Sequence, residues 1–185
     1  MTRGRARASD VAGVPAAVLV GGIALLVVLV SMPRFRAHAV AANRADARVA
    51  LDILADVVFT RAWTDGAAAP EDPAEPEDLA DVVAAVEMLR HRFPDARRAP
   101  DTGQLVHHGY RIDTGYLRDG VVRRPALVAW PDAYGRSGDA AFAITAEGAL
   151  WGHPNGGRWS AGTHELVEAD VSGGSWTLLR ASRDD

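Results

Sequence analysis

The sequence predicts an α+β fold. A long N-terminal helix, half membrane-spanning and half amphipathic, precedes a second short helix and a small antiparallel sheet packed on the helix. Three observations predict it. Val11 to Met32 carries no charge. Beyond Pro33 the apolar residues recur at helical spacing. From Gln104 onward the pattern changes to short apolar runs separated by glycine-containing turns.

The first element is the apolar run. Its dense part, Val14 to Met32, is 19 residues, or roughly 28 Å of helix, close to the hydrocarbon thickness of a bilayer. A cleaved signal is the competing reading, since Arg3, Arg5 and Arg7 precede the run and Ala37-His38-Ala39 reads as A-x-A. The run is too long for a signal core, and Arg34 and Arg36 intervene before that site. Arginines flank both ends, so the positive-inside rule is nearly balanced. The folded mass lies C-terminal, which favours a cytoplasmic N-terminus. The expected layout is a cytoplasmic tail at 1–10, a transmembrane helix at 11–32, an amphipathic stalk helix at 33–63, a proline-rich acidic loop at 64–78, and a second helix with the sheet domain at 79–185.

Past the span, Val40, Ala47, Leu51, Leu54 and Val58 form one stripe. Arg44, Asp46, Arg48, Asp52 and Asp56 occupy the other face. Pro33 removes a backbone donor and crowds the preceding turn, so a kink in one long helix is expected there, with two separate helices as the alternative. Ala67 to Asp78 cannot build a core. Leu79, Val82, Val83, Val86, Leu89 and Phe93 mark the second amphipathic helix, ended by Pro94. Strands are expected at 105–106, 110–112, 126–130, 141–145, 149–151 and 176–179, with turns at Asp119-Gly120, Ala146-Gly148 and Asn155-Gly156-Gly157.

The 185 residues hold one domain plus extras, with net charge −4. All 20 basic residues are arginine, and no basic face for nucleic acid is visible. The absence of cysteine excludes disulfides, thiol nucleophiles and thiolate zinc sites. His107 and His108 are adjacent, and on a strand adjacent side chains face opposite ways, so they read as surface and strand-edge histidines and not as a metal pair. Gly135-Arg136-Ser137-Gly138 lacks the G-x-S-x-G spacing of a nucleophile elbow and reads as a turn. Trp130, Trp151, Trp159 and Trp176 read as core aromatics. Glu165, Glu168 and Asp170 near Ser172 show no defensible calcium-ligand spacing. No catalytic residue, cofactor or metal is expected.

The order of these segments resembles the type IV pilin and pseudopilin superfamily. Met32-Pro33-Arg34-Phe35 is similar to its proline-phenylalanine exit, and Ala41-Ala42-Asn43-Arg44-Ala45-Asp46-Ala47 with Val49 to Leu54 is similar to its asparagine-and-alanine stretch leading into a leucine-isoleucine run. Gly109-Tyr110-Arg111, Ala129-Trp130-Pro131-Asp132-Ala133-Tyr134-Gly135-Arg136-Ser137-Gly138 and Phe142 to Gly148 resemble a bacterial pilin-like group. The upstream residues depart from the family pattern. Gly13 is the candidate processing glycine, but Val14 follows it where phenylalanine is usual, and no glutamate lies a few residues on.

The resemblance implies a non-enzymatic subunit of a type IV pilus or type II secretion-type assembly. It would sit single-pass in the inner membrane, with its C-terminal domain outside. Its partners would be the membrane and other pilin-like subunits, in homo- or hetero-oligomers. Gly21, Gly22, Leu26, Leu29 and Phe35 would pack against neighbours. Leu51, Leu54, Val58, Tyr110, Trp130 and Phe142 would form the helix–sheet core. The alternative is a bitopic protein whose outer domain binds a ligand or envelope partner without polymerising.

Overall fold

The computed structural model describes residues 13–64, 82–84, 86–160 and 166–182. Helix α1 is Gly13–Thr64 and contains Pro33. Helix α2 is Glu87–Arg92. The strands are β1 (Arg97–Arg98), β2 (Leu105–His107), β3 (Tyr110–Asp119), β4 (Val122–Pro131), β5 (Ala141–Thr145), β6 (Leu150–His153), β7 (Glu168–Asp170) and β8 (Thr177–Arg180). The tail at 1–10, the proline-rich acidic segment from 65 to 78, Leu79 and Glu165 lie outside the described residues.

The chain divides into two compact units between His38 and Ala39, and α1 contributes to both. In the first unit the helix is long and apolar enough to cross a membrane, and none of its most apolar window is buried. No glycine or proline signal stops it: Pro33 sits inside α1, with helical residues on both sides. Proline lacks only one backbone donor, which a long helix tolerates at a bend.

In the second unit an eight-stranded sheet runs in the order β1-β2-β3-β4-β5-β6-β8, each neighbouring pair antiparallel. β4 pairs with the whole of β3, so β3's other edge is shared. β2 covers Tyr110 to Ile112 of that edge, and β7 covers Tyr116 to Arg118 in parallel. β1, β7 and this parallel pairing were not expected from the sequence. β1 is two exposed arginines and β7 is Glu-Ala-Asp, so neither carries an apolar run.

Both faces of the sheet are covered. On one face Ala47, Ala50, Leu51 and Leu54 of α1 meet Val82, Val83, Leu89 and Phe93, and beneath them Leu105, Tyr110, Ile112, Leu127, Phe142 and Ile144. Val58 packs at the margin of this cluster, half-buried. On the other face Val128, Trp130, Ala141 and Ala143 are covered by Trp159, Leu166, Ala169, Val171 and Trp176 of the C-terminal segment. This explains why β4 and β5 read as continuous apolar runs: a strand buried on both sides has no polar face. It also corrects the placement of Trp130. That ring is fully buried, but it lies in the second cluster and not against the helix. Leu127 and Ala129 point to the helix, so the pleat sends Trp130 the other way.

The second helix expected through Phe93 is interrupted at Val86. Val86 is extended (φ −97°, ψ 107°) and caps α2 without a side-chain hydrogen bond, and Val82–Ala84 before it are helical. The expected strand at 176–179 begins one residue later, because Trp176 turns into the second core.

Candidate functional site

Two features of the second unit converge on α1, and both are built by turns. The first is the β2–β3 hairpin. His107 pairs with Tyr110, leaving only His108 and Gly109 in the loop. Both have left-handed backbone (φ 45° and 76°), the two-residue geometry that matches strand twist. This overturns the expectation for His107, while His108 is exposed as expected. Because His108 leaves the strand pleat, its ring swings onto His107, stacked at 4.1 Å and 17°. His107 is buried, not exposed, with its other side against the edge of Phe93 at 5.0 Å. Burial, and secondly the neighbouring His108, pull its pKa below the ordinary histidine value.

His108 bridges two elements. Its Nδ1 lies 2.7 Å from Asp46 Oδ2 on α1, and its Nε2 lies 3.6 Å from Asp95 Oδ2 after α2. Asp46, Asp95, Arg92, Phe93 and both histidines line a shallow groove of about 380 Å3. The two carboxylates stand at opposite ring nitrogens, so one cation cannot take both together with the imidazole. Among the described residues no group of three or more acidic or histidine side chains converges on a point. The geometry lets the His108 ring tie α1 to the segment after α2, hydrogen-bonded to Asp46 at one nitrogen and facing Asp95 at the other.

The second feature is a knot around Arg111, joining β3 to the end of β4 and to the Asp101–Thr102 turn. Arg111 is buried. It donates from Nε to Asp132 (2.8 Å), from its terminal nitrogens to both Asp101 oxygens (3.1 and 3.0 Å), and from Nη1 to Thr102 Oγ1 (2.9 Å). Burial alone would lower its pKa, but the bonds and charges of Asp101 and Asp132 outweigh that and raise it. The same Arg111 bond holds Asp101 below the usual carboxylate range. Gly138 faces the Tyr110 ring so closely that a Cβ would sit 2.4–2.6 Å from it. Burial, and secondly the charge of Asp139, push the Tyr110 hydroxyl up to about 12. The loop Ala133–Gly138 is a turn, as expected: Ser137 Oγ accepts from the Ala133 amide at 2.9 Å. Asn43 Nδ2 donates to the Ser137 carbonyl at 2.9 Å, and Arg44 pairs with Asp139 at 3.4 Å. Arg180 of β8 clasps both oxygens of Asp52 further along α1.

The remaining candidates fall as follows. Leu51, Leu54, Tyr110 and Phe142 lie in the helix-facing cluster. Gly13 is the first residue of α1. Leu26, Leu29 and Phe35 are more than half exposed, and a Cβ at Gly21 or Gly22 would meet nothing within 4 Å. Glu168 is engaged by Arg118 and Arg123, and Asp170 by Ser172, whose hydroxyl bond lowers its pKa. Trp159 and Trp176 pack with His153, 4.9 and 5.2 Å away. Sequence reasoning missed the His108 bridge and the Arg111 knot. A His-Gly pair between the short runs Leu105–His107 and Tyr110–Ile112 was the available signal for the first, as Asn-Gly would have been. No known protein family, no curated protein and no solved structure matches this chain.

Proposed function

We propose that the chain is a non-enzymatic, single-pass, pilin-like subunit of a type IV pilus or type II secretion-type assembly. One observation carries this reading: α1 has two uses. From Val20 to Phe35 its large apolar residues are exposed, and beyond Ala39 its Ala47, Ala50, Leu51 and Leu54 are the spine of a folded core. Such a helix can trade lipid for neighbouring helices without disturbing the domain it supports. In this reading the anchor lies in the inner membrane with its N-terminus inside and the sheet domain extracytoplasmic. Leu26, Leu29 and Phe35 then face other subunits, of the same or a related chain. The asparagine-to-loop bond of Asn43 and the Arg111 knot supply rigidity, and no cofactor, metal or nucleic acid enters.

A second reading, a bitopic protein that binds an envelope partner without polymerising, is favoured by one specific departure. Ala16 stands where the family's glutamate is expected, and Gly13 is followed by valine. An uncompensated carboxylate in lipid needs a partner subunit, so its absence removes one reason to assemble. N-terminal sequencing of the protein from membranes and from sheared surface material separates the two. The pilin-like reading expects a new N-terminus at Ala12 or Val14 and protein in the sheared fraction. An intact N-terminus with no sheared protein sinks it.

A further inference from the structure

We propose that the groove between the last turn of α2 and β1 binds an extended acidic peptide segment of a partner protein. The stretch Arg90 to Arg98 holds four arginines and one histidine against a single acid, in a chain whose net charge is −4. That acid, Asp95, already faces His108. All four guanidinium-bearing residues are exposed. Arg90, Arg92 and Arg97 form no ion pair among the described residues.

Charge at a helix C-terminus is commonplace, and so is a basic edge strand. The first complements the helix dipole, and the second deters edge-to-edge pairing. Neither explains how the two are joined. Arg90 on one side and Arg97 and Arg98 on the other line a groove of about 330 Å3, floored by Val83, Phe93 and Leu105. Those three floor residues are buried, so the groove is apolar at its base and cationic at its rim.

That arrangement fits a ligand with alternating chemistry. β1 ends the strand order, so an extended chain can run along it. In such a chain successive side chains point opposite ways, which lets apolar ones enter the groove while carboxylates meet the guanidiniums above. A long polyanion would need a wider basic field than this, and the chain's overall negative charge opposes it at range.

The test uses the full chain in detergent micelles and a fluorescein-labelled dodecapeptide of alternating Glu and Val. Fluorescence anisotropy at low salt should show binding. The double variant Arg90→Gln/Arg97→Gln should weaken it at least about tenfold, as should raising the salt to about 0.3 M. Arg124→Gln, an exposed arginine on β4, should leave it unchanged. The same peptide with Lys for Glu should not bind. The proposal is overturned if the acidic peptide does not bind at about 1 mM, if Arg124→Gln weakens binding as much as the double variant, or if inorganic polyphosphate binds where the peptide does not. Both altered arginines are exposed, and an unchanged far-UV circular dichroism spectrum confirms that the double variant is folded.

Discussion

Arg111 touches more of the second unit through hydrogen bonds than any other side chain described above. Its guanidinium ties the Asp101–Gln104 loop to Asp132 at the end of β4. Arg111→Met keeps the stem's volume and strands two carboxylates. Both are partly exposed, which limits the cost, so the expected loss is about 2 kcal/mol. Thermal unfolding of the full chain in detergent, followed by tryptophan fluorescence, measures it. His153 gives a pH prediction. Its Nδ1 accepts from the Asn155 amide at 2.9 Å, which requires the unprotonated nitrogen. Burial first, and Arg158 second, lower its pKa in the fold. His107 is lowered as well. Between the folded values and the ordinary value of about 6.5 the unfolded chain binds more protons, so stability rises with pH there. The contribution is complete above about pH 6.5 and is lost as the pH falls below it. His153→Gln keeps an acceptor without titrating, so a melting-temperature profile from pH 7.5 to 5 should be flatter for the variant than for the wild type. An equally steep profile would remove His153 from this account.

At the scale of elements, the turn Ala133–Gly138 and strand β3 are locked by glycine. Gly138→Ala places a methyl group against the rigid Tyr110 ring and should cost about 1–3 kcal/mol. Gly173→Ala, which meets nothing within 4 Å, should be near neutral in the same melt. The strands at 126–130 and 141–145 were legible because burial on both faces makes unbroken apolar runs between glycine turns, and those at 105–106 and 110–112 because apolar and polar residues alternate there. The same double burial hid which way Trp130 faces, since a strand apolar on both sides has no polar residues to mark its phase. β1 and β7 were illegible for the opposite reason. Arg97–Arg98 and Glu168–Asp170 are strands only because β2 and β3 offer them free backbone groups. The histidine bridge was hidden by one dihedral angle: a left-handed His108 breaks the alternation that would have sent the two rings to opposite faces. The amphipathic stripe of α1 was read correctly through Leu51 and Leu54, because a one-sided stripe at helical period has a single reading.

At the scale of the whole molecule, one helix is long and apolar enough to cross a membrane and also carries residues of the core, and its two halves can be tested apart. Leu26 lies mid-run and is exposed. A charge at such a position costs about 2.5–3.5 kcal/mol on insertion scales. Leu26→Arg should therefore shift the full chain from the carbonate-resistant membrane pellet toward the supernatant, while Val49→Arg, exposed in the second unit, should not. Retention of both variants in the pellet would argue against insertion of this run. The clasp between Asp52 and Arg180 joins residues 128 apart in sequence. β7 likewise reaches back across β4, β5 and β6 to pair with β3. A ribosome delivers the helix first and these partners last. The spine of the domain is therefore made long before the pieces that close around it, and its apolar face stays uncovered until the sheet residues that pack on it, Leu105 through Ile144, have emerged. Contacts so distant in sequence slow folding. While synthesis proceeds, the nascent helix is the part of this protein that most needs shelter.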